Sequence, residues 1–467
     1  MVGPSLKRPL SVGALRIALF NYAFAVSRGG SFGVRIEDTD QTRMDAHLLD
    51  DLYAMLEWTG IAYHEGGTKG GARGPYLQSG RLALYRAYAE TLLKTGAAYR
   101  CFCSPELLAE VRAHQRSKGM HSRYDGRCAE TDPDKGAQRA ENGHPHVVRM
   151  RVPRTGHGDV VIRDEVMGLS ATPLPAIDDQ ILIKSDGFPT YHFSSVIDDH
   201  LMGISHVLRS DSWLSSTPKH VLLYEAFGWN PPRFAHIPAI ARGIWSTPVR
   251  ELRDLGVPAD AVVNFAAEIG WQPPLRGSLF VLNDLLADFD LAEIRTAQRN
   301  AAASRLEWLS AQHLRRQPEE EAAGDLLLQL RALGLPEATP SYRRAVIRLC
   351  RSRCRTYRDI AVTHGYMFQP PCHSREAITV LRTAETLLPE VSSALQELDT
   401  FTPEAIERRL RVFSGNRGLA LGSVLGTLRL AICGVPTSPD IFEVLALLGR
   451  SECQQRLAAI HVEVRDA

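Results

Sequence analysis

Apolar residues recur at helical spacing right after a glycine turn near the start of the chain. In "SVGALRIALFN" (11–21) and the residues that follow, Leu15, Ala18, Leu19, Tyr22 and Val26 fall on one face, which predicts a helix over 14–27. "SFGVRIEDTD" (31–40) comes next, and its apolar run ending in acids predicts a short buried strand. Loop, helix and strand in that order belong to a parallel α/β sheet. Such a sheet takes a strand before its first loop. Only Met1 to Leu10 stand there, with two prolines among them, so the pattern predicts that this strand is lacking.

Helical periodicity returns at 42–58 and 80–97. Residues 100–160 are polar, rich in His, Arg and Gly, and less regular, as in a domain inserted into another. "ILIKSDGFPTYHFSSVIDDHLMGISHVLR" (181–209) goes back to strand and turn chemistry, with Gly187 and Pro189 forming the turn. From about 315 the chain reads as helical, with Leu- and Arg-rich periodic stretches at 319–333, 341–358, 374–397 and 403–412. The predicted layout is an α/β half that contains an insertion, followed by an all-helical half.

Composition alters this picture little. A chain of 467 residues can bury a sizeable core and form several domains. Its 54 Lys and Arg against 53 Asp and Glu leave a net charge of +1, so no global field favours a polyanion. A basic face on one domain would not show in that sum. Eight cysteines in a chain this long point to a reducing compartment or a metal site, not to a disulfide framework. No apolar run nears the roughly 18 residues of a membrane span, so no membrane partner is expected. "MVGPSLKRPL" is basic but too short for a signal or transit peptide, and no targeting can be read from it.

Two stretches carry candidate chemistry. Glu37, Asp38 and Asp40 end a strand where parallel sheets bind ligands, outside the carboxyl edge. A carboxylate there either holds an ammonium group or caps the next helix. "YHFSSVIDDHLMGISHVLRSDSW" (191–213) puts Tyr191 and His192 after a tight turn, then the adjacent acids Asp198 and Asp199, then Arg209 at the end of a strand-like run. An arginine at a strand end is either solvated or grips a carboxylate with two prongs.

The order and spacing of these stretches add what neither carries alone. "ALRIALFNYAFA", "GGSFGVRIEDTDQTR", "GPYLQSGRLALYRAYAETLLKTGAAYRCFCSPE", "RYDGRC", "KSDGFPTYHFSSVIDDHLMGISHVLRS" and "STPKHVLLYEAFGWNPPRFAHIP" resemble the glutamyl-tRNA synthetases of the bacterial and mitochondrial type. "GLALGSVLGTLRLAICGVPTSPDIFEVLALLGRSECQQRL" is similar to the last helical domain of that family. "KTGAAYRCFCSPE" and "DDHLMGISHVLR" look most like the animal mitochondrial members.

The resemblance implies a class I synthetase. Its Rossmann-type α/β catalytic domain would span 1–85 and 191–240, with an acceptor-stem-binding insertion at 86–190. A stem-contact helical domain at 241–314 and an all-helical anticodon-binding region at 315–467 would follow. It further implies activation of glutamate with ATP and Mg2+ and transfer of glutamyl to the 3′ end of tRNA(Glu), with tRNA(Gln) as a possible second acceptor. A monomer in the mitochondrial matrix is expected, with the bacterial cytoplasm as the alternative. By position, Ser5 and Glu37 would face the amino group, Tyr191 would pack on the amino acid with Ser195 beside it, and Arg209 would pair with its side-chain carboxylate. His192, Phe193 and Ser194 complete the expected glutamate-binding stretch. Ser11, Gly13, Arg16, Ser212 and Trp213 would bind ATP, with Gly13 admitting it to the backbone and Trp213 near the adenine. Asp198 and Asp199 would hold the turn and an adjacent helix start. "RRAVIRLCRSRCR" (343–355) offers six arginines either to phosphate or to solvent.

The chain departs from the family pattern at several points. The class I signature of the His-Ile-Gly-His kind falls on Ser11-Val12-Gly13-Ala14, so Ser11 stands where a histidine is expected. A group of that kind is commonly worth about 2.7–4 kcal/mol of transition-state stabilisation. The Lys-Leu-Ser-Lys-Arg loop expected after "FAHIP" is absent, and with it the lysine that neutralises the triphosphate. Ser212 replaces an expected glutamate and Ser195 an expected amide. These departures fit either a degenerate site or a chain form lacking pieces of an intact one. The alternative function is a synthetase-like tRNA-binding protein without adenylate chemistry.

Cys101, Cys103 and Cys128 have the spacing C-x-C, then 24 residues, then C. Some members of the resembled family carry zinc there, with histidine two residues after the last cysteine. This chain has Glu130 at that place, and His121 as another fourth donor. Three thiolates with a carboxylate are an uncommon zinc set, so the reading favours a metal-free site. Cys350 and Cys354, four apart on a predicted helix, read as packing residues.

Overall fold

The computed structural model describes residues 1–467 except 6, 41–44, 46, 155–157, 241–242, 272, 274–276, 297–301 and 467. The chain opens on an extended segment, which corrects the first expectation. Val2 donates its N–H to Gly33 O at 2.9 Å and accepts from Arg35 N at 3.0 Å, and Glu37 N donates to Pro4 O at 3.1 Å. Met1–Pro4 therefore occupies the strand place that its proline argued against. The ladder draws on the N–H of Val2 and on the carbonyls of Val2 and Pro4, so the donor that Pro4 lacks is never required.

The first helix spans Val12–Ser27, with Ser11 as its N-cap. It is buried well beyond the predicted stripe, because Val12, Arg16, Phe20, Asn21 and Ala23 are buried too. Phe20 packs on Phe289 at 5.3 Å and Tyr22 on Phe32 at 5.5 Å between ring centroids, so partners lie on more than one side. After it, β1 (Gly33–Val34) pairs in parallel with β2 (Glu65–Gly66), and a parallel bridge joins Ile36 to Leu77. Asp38 accepts from Ser79 N at 2.8 Å and so ties down a turn 41 residues further along the chain.

Two further sheets follow. β3 (Ala98–Cys101), β4 (Val147–Met150) and β7 (Ile181–Ile183) form an antiparallel sheet in the order β3-β4-β7. β5 (Asp159–Asp164), β6 (Gly168–Pro173), β8 (His206–Ser210) and β9 (Arg233–Ile237) form another, in the order β6-β5-β9-β8. In it β8, β9 and β5 run parallel, and β6 is an antiparallel hairpin on β5. The stretch read as an insertion thus contributes strands to two sheets, one of them shared with β8 and β9.

The chain divides into two compact units, Met1–Arg250 with Val263–Ala302, and Glu251–Val262 with Ala303–Ala467. The second is helical, with a core that includes Leu326, Val346, Ile347, Leu395, Leu410, Val424 and Leu445. Cys350 and Cys354 pack into that core. Several arginines of 343–355 are engaged within the unit. Arg343 is buried and donates to the carbonyls of Ala323, Glu337 and Ala338. Arg344, Arg348 and Arg355 pair with Glu320, Glu319 and Glu307. Among the described residues, no helix is long and apolar enough to cross a membrane.

Candidate active site

The helix Tyr191–Leu201 starts after the turn at Gly187 and packs against β7. Residues four apart on a helix share a face, so Tyr191, Ser195 and Asp199 point the same way. All three line one cleft of about 520 Å³, together with Ser5, Glu37, Arg209 and Trp213. The substrate-facing residues expected from widely spaced stretches are thereby brought to one place. Glu37 follows β1 and Arg209 ends β8, as the carboxyl-edge rule requires. Asp40, one of the strand-end acids, lines the cleft too, and so do Lys7, Arg35 and Asp199, which the resemblance does not mark as ligand-facing. The i, i+4, i+8 pattern from Tyr191 was the signal for Asp199.

His192, Phe193 and Ser194 do not line the cleft, which corrects the contiguous stretch expected. Helical rotation turns them elsewhere. Phe193 is buried in the core near Phe227. Ser194 donates to Gln78 Oε1 at 3.3 Å or to Thr190 O at 3.2 Å. His192 Nδ1 lies 2.9 Å from His220 Nε2, and burial lowers its pKa to about 4.

Arg209 is buried with its donors engaged in a defined way. Nε donates to His236 Nε2 at 3.1 Å and Nη2 to Thr217 Oγ1 at 2.9 Å, while Nη1 lies 3.5 Å from His220 Nδ1. Ser195 Oγ is buried and has no hydrogen-bond partner among the described residues. An unpartnered hydroxyl on a cleft wall carries a desolvation penalty that a ligand relieves. Burial raises Glu37 from 4.5 to about 7 despite the pull of Arg35, which lies 3.3 Å away. Burial also lifts the Tyr191 hydroxyl to about 12, with Glu37 adding to it. The Tyr191 ring meets Trp213 at 4.5 Å between centroids. The cleft thus offers a cation, a carboxylate, a hydroxyl and an aromatic wall.

The residues expected to hold ATP divide. Trp213 lines the cleft; Ser11, Gly13, Arg16 and Ser212 do not. Ser11 Oγ accepts from Ala14 N at 3.3 Å as the helix cap. Arg16 is buried against Phe20 and donates to Pro238 O at 2.9 Å. A Cβ on Gly13 would meet Trp245 O at 3.5 Å, an ordinary contact, so nothing there demands glycine. Ser212 is exposed and bonds Ser210 Oγ at 3.0 Å. Asp198 is buried within its helix and accepts from Arg81, Gln78 and Tyr85, so it holds that helix and not the turn. The segment between "FAHIP" and the next helix includes 241–242, which lie outside the described residues.

Cys101, Cys103 and Cys128 do converge, with their sulfurs within 4.8 Å of one another. Cys103 Sγ and Cys128 Sγ are 3.6 Å apart, near the spacing of two thiolates on one tetrahedral ion. Among the described residues, neither Glu130 nor His121 joins the group. The Tyr124 hydroxyl stands beside it instead, 3.3 Å from Cys101 Sγ and 3.6 Å from Cys103 Sγ. A phenol at that place makes a poor fit to zinc, whose structural sites take four N or S donors.

Comparison with known proteins shows the family. Residues 3–308 match the model of the catalytic domain of class I tRNA synthetases (E and Q), and residues 319–461 match an anticodon binding domain. The glutamate–tRNA ligase of Thermus thermophilus is 38% identical over 466 residues, covering 98% of both chains. That of Chlorobium phaeovibrioides is 36% identical, covering 97% of this chain and 92% of the relative. A crystal structure of a glutamate tRNA ligase from Elizabethkingia meningosepticum, in complex with its amino acid, superposes with a TM-score of 0.85 at 29% identity over 99% of this chain and 98% of that one. With a catalytic model matched over most of the α/β unit and relatives similar from end to end, the chain belongs to the class I tRNA synthetases, among the glutamate–tRNA ligases.

Proposed function

We propose that the chain activates glutamate with ATP and transfers the glutamyl group to the 3′ end of tRNA(Glu), with tRNA(Gln) as a second acceptor. The observation that carries this is the placing of a buried guanidinium, Arg209, and a carboxylate, Glu37, on one cleft. A cation meets the side-chain carboxylate of glutamate, and a carboxylate meets its ammonium group. Ser195 Oγ supplies a hydrogen bond that is otherwise unmade. Trp213 offers the adenine a stacking face. The acids Glu37 and Asp199 pair with Arg35, and Asp40 with Lys7. Mg2+, bound with ATP, would supply charge neutralisation to the triphosphate. In this reading the helical residues 315–467 grip the anticodon and the insertion holds the acceptor stem of a monomer.

The proposed setting is mitochondrial translation. It is supported by the likeness of "KTGAAYRCFCSPE" and "DDHLMGISHVLR" to animal mitochondrial members, although the relatives named above are bacterial. Aminoacylation of tRNA(Glu) and tRNA(Gln) with labelled glutamate tests the chemistry, and microscopy of the tagged full chain tests the setting. Tight tRNA binding without any ATP-dependent adenylate would leave a tRNA-binding protein in place of the enzyme.

A further inference from the structure

Arg209 is held by a relay that starts three strands away in sequence and two in space. Arg209 on β8 sits in register with His236 on β9, and Asp164 ends β5 on the other side of β9. His236 Nδ1 is 2.6 Å from Asp164 Oδ2, and both side chains are wholly buried. Asp164 also accepts backbone N–H groups, from Met167 at 2.8 Å, Val166 at 3.0 Å and His236 at 3.1 Å. Burial opposes its charge, but the hydrogen bonds of His236 and of these backbone groups outweigh it and hold the carboxyl below its usual range.

An ionised Asp164 can only accept, so the proton of His236 sits on Nδ1. That leaves Nε2 as a lone pair, facing Arg209 Nε at 3.1 Å. Thr217 Oγ1 closes the group, 2.9 Å from Arg209 Nη2 and 3.1 Å from His236 Nε2. With the other tautomer, two N–H groups would oppose each other and the guanidinium would turn away. A direct Asp–Arg pair would hold the arginine equally well, but it would neutralise the charge that the cleft presents. A neutral imidazole between the two fixes the guanidinium while leaving its charge for a ligand.

We propose that Asp164 and His236 are positioning residues for Arg209, a carboxylate–imidazole relay that presents an uncompensated guanidinium to the acidic side chain of the substrate. This rests on the reading of Arg209 as the group that meets glutamate.

The test is calorimetric binding of glutamate to the full chain in the presence of tRNA, with glutamine measured by competition. Asp164→Asn offers an N–H to His236 Nδ1 and moves its proton to Nε2. His236→Phe removes the acceptor, and His236→Gln keeps an amide oxygen near the Nε2 place. The expected result is a glutamate Kd raised about tenfold or more by Asp164→Asn and His236→Phe, in the range of a buried hydrogen bond to a charged group. Glutamine and tRNA affinities stay put, and His236→Gln stays within about threefold of the parent. Wild-type glutamate affinity in both disruptive variants would overturn the proposal, as would equal weakening of glutamate and glutamine. If Asp164→Asn does not fold, because it also anchors the turn at Val166 and Met167, the His236→Phe and His236→Gln pair decides. Arg209→Gln is the separate control: if it leaves glutamate binding intact, the reading of Arg209 itself fails.

Discussion

Arg35 donates to Asp199 Oδ1 at 2.8 Å on the wall of the cleft, with the two side chains 6% and 12% exposed. The same guanidinium lies 3.3 Å from Glu37 and 3.7 Å from Asp198. Burial works against its charge, but Asp199, Asp198 and Glu37 outweigh that and hold it protonated. Asp198 also has Arg81, at 2.8 Å, but Asp199 and Glu37 depend on Arg35. Replacing Arg35 by leucine removes that compensation. Arg35→Leu is expected to lower unfolding free energy by about 3–5 kcal/mol. Denaturant melts check this, and an unchanged midpoint would refute it.

Glu37 leads to a pH dependence. Its carboxyl is raised from 4.5 to about 7, so the folded chain binds this proton more tightly than the unfolded one. Stability from this group is therefore full below pH 4.5 and is lost as pH rises towards 7. Binding has the opposite sense, because only the ionised form holds an ammonium group. The glutamate Kd is expected to rise about tenfold per pH unit below 7, with Glu37→Gln abolishing the slope. Calorimetry across that range measures it; a flat profile in the parent chain would rule the role out.

Ser11 stands where the class I signature has histidine, yet its Oγ caps the first helix by accepting from Ala14 N. Ser11→Ala is expected to cost about 1 kcal/mol of stability, as for other N-cap serines. Glutamate activation rates should stay within about threefold, well short of the loss that follows removal of a transition-state donor. A rate loss of a hundredfold would show that the hydroxyl reaches phosphate.

The thiol cluster is expected to hold far less than one equivalent of zinc. Burial raises Cys103 to about 12, so its protonated form is the stable one in the absence of metal. Elemental analysis of protein grown with zinc, and a chelator titration followed by thermal melting, measure this. A stoichiometric metal whose removal unfolds the insertion would contradict it, since structural zinc contributes directly to folding.

Much of the candidate site was legible in the chain. The family resemblance points to Glu37, Tyr191, Ser195 and Arg209, and they line one cleft. The same resemblance points to Ser11 and Arg16 for ATP, whereas in the fold they are a helix cap and a buried partner of Pro238. The difference is physical. The first group ends strands or repeats at i, i+4 on one helix, where local geometry dictates direction. The second depends on what packs against the first helix from distant parts of the chain.

What the residues determined alone was therefore periodic and local: helix faces, turns, the thiol spacing, and the succession of motifs that marks the family. Tertiary structure decided the rest. It laid Met1–Pro4 alongside residues 33–37, engaged arginines of 343–355 with nearby glutamates and carbonyls, and brought Asp164, His236 and Arg209 into a line across three strands. Strand register and long-range hydrogen bonds answer to packing over tens of residues, and no local spacing encodes them.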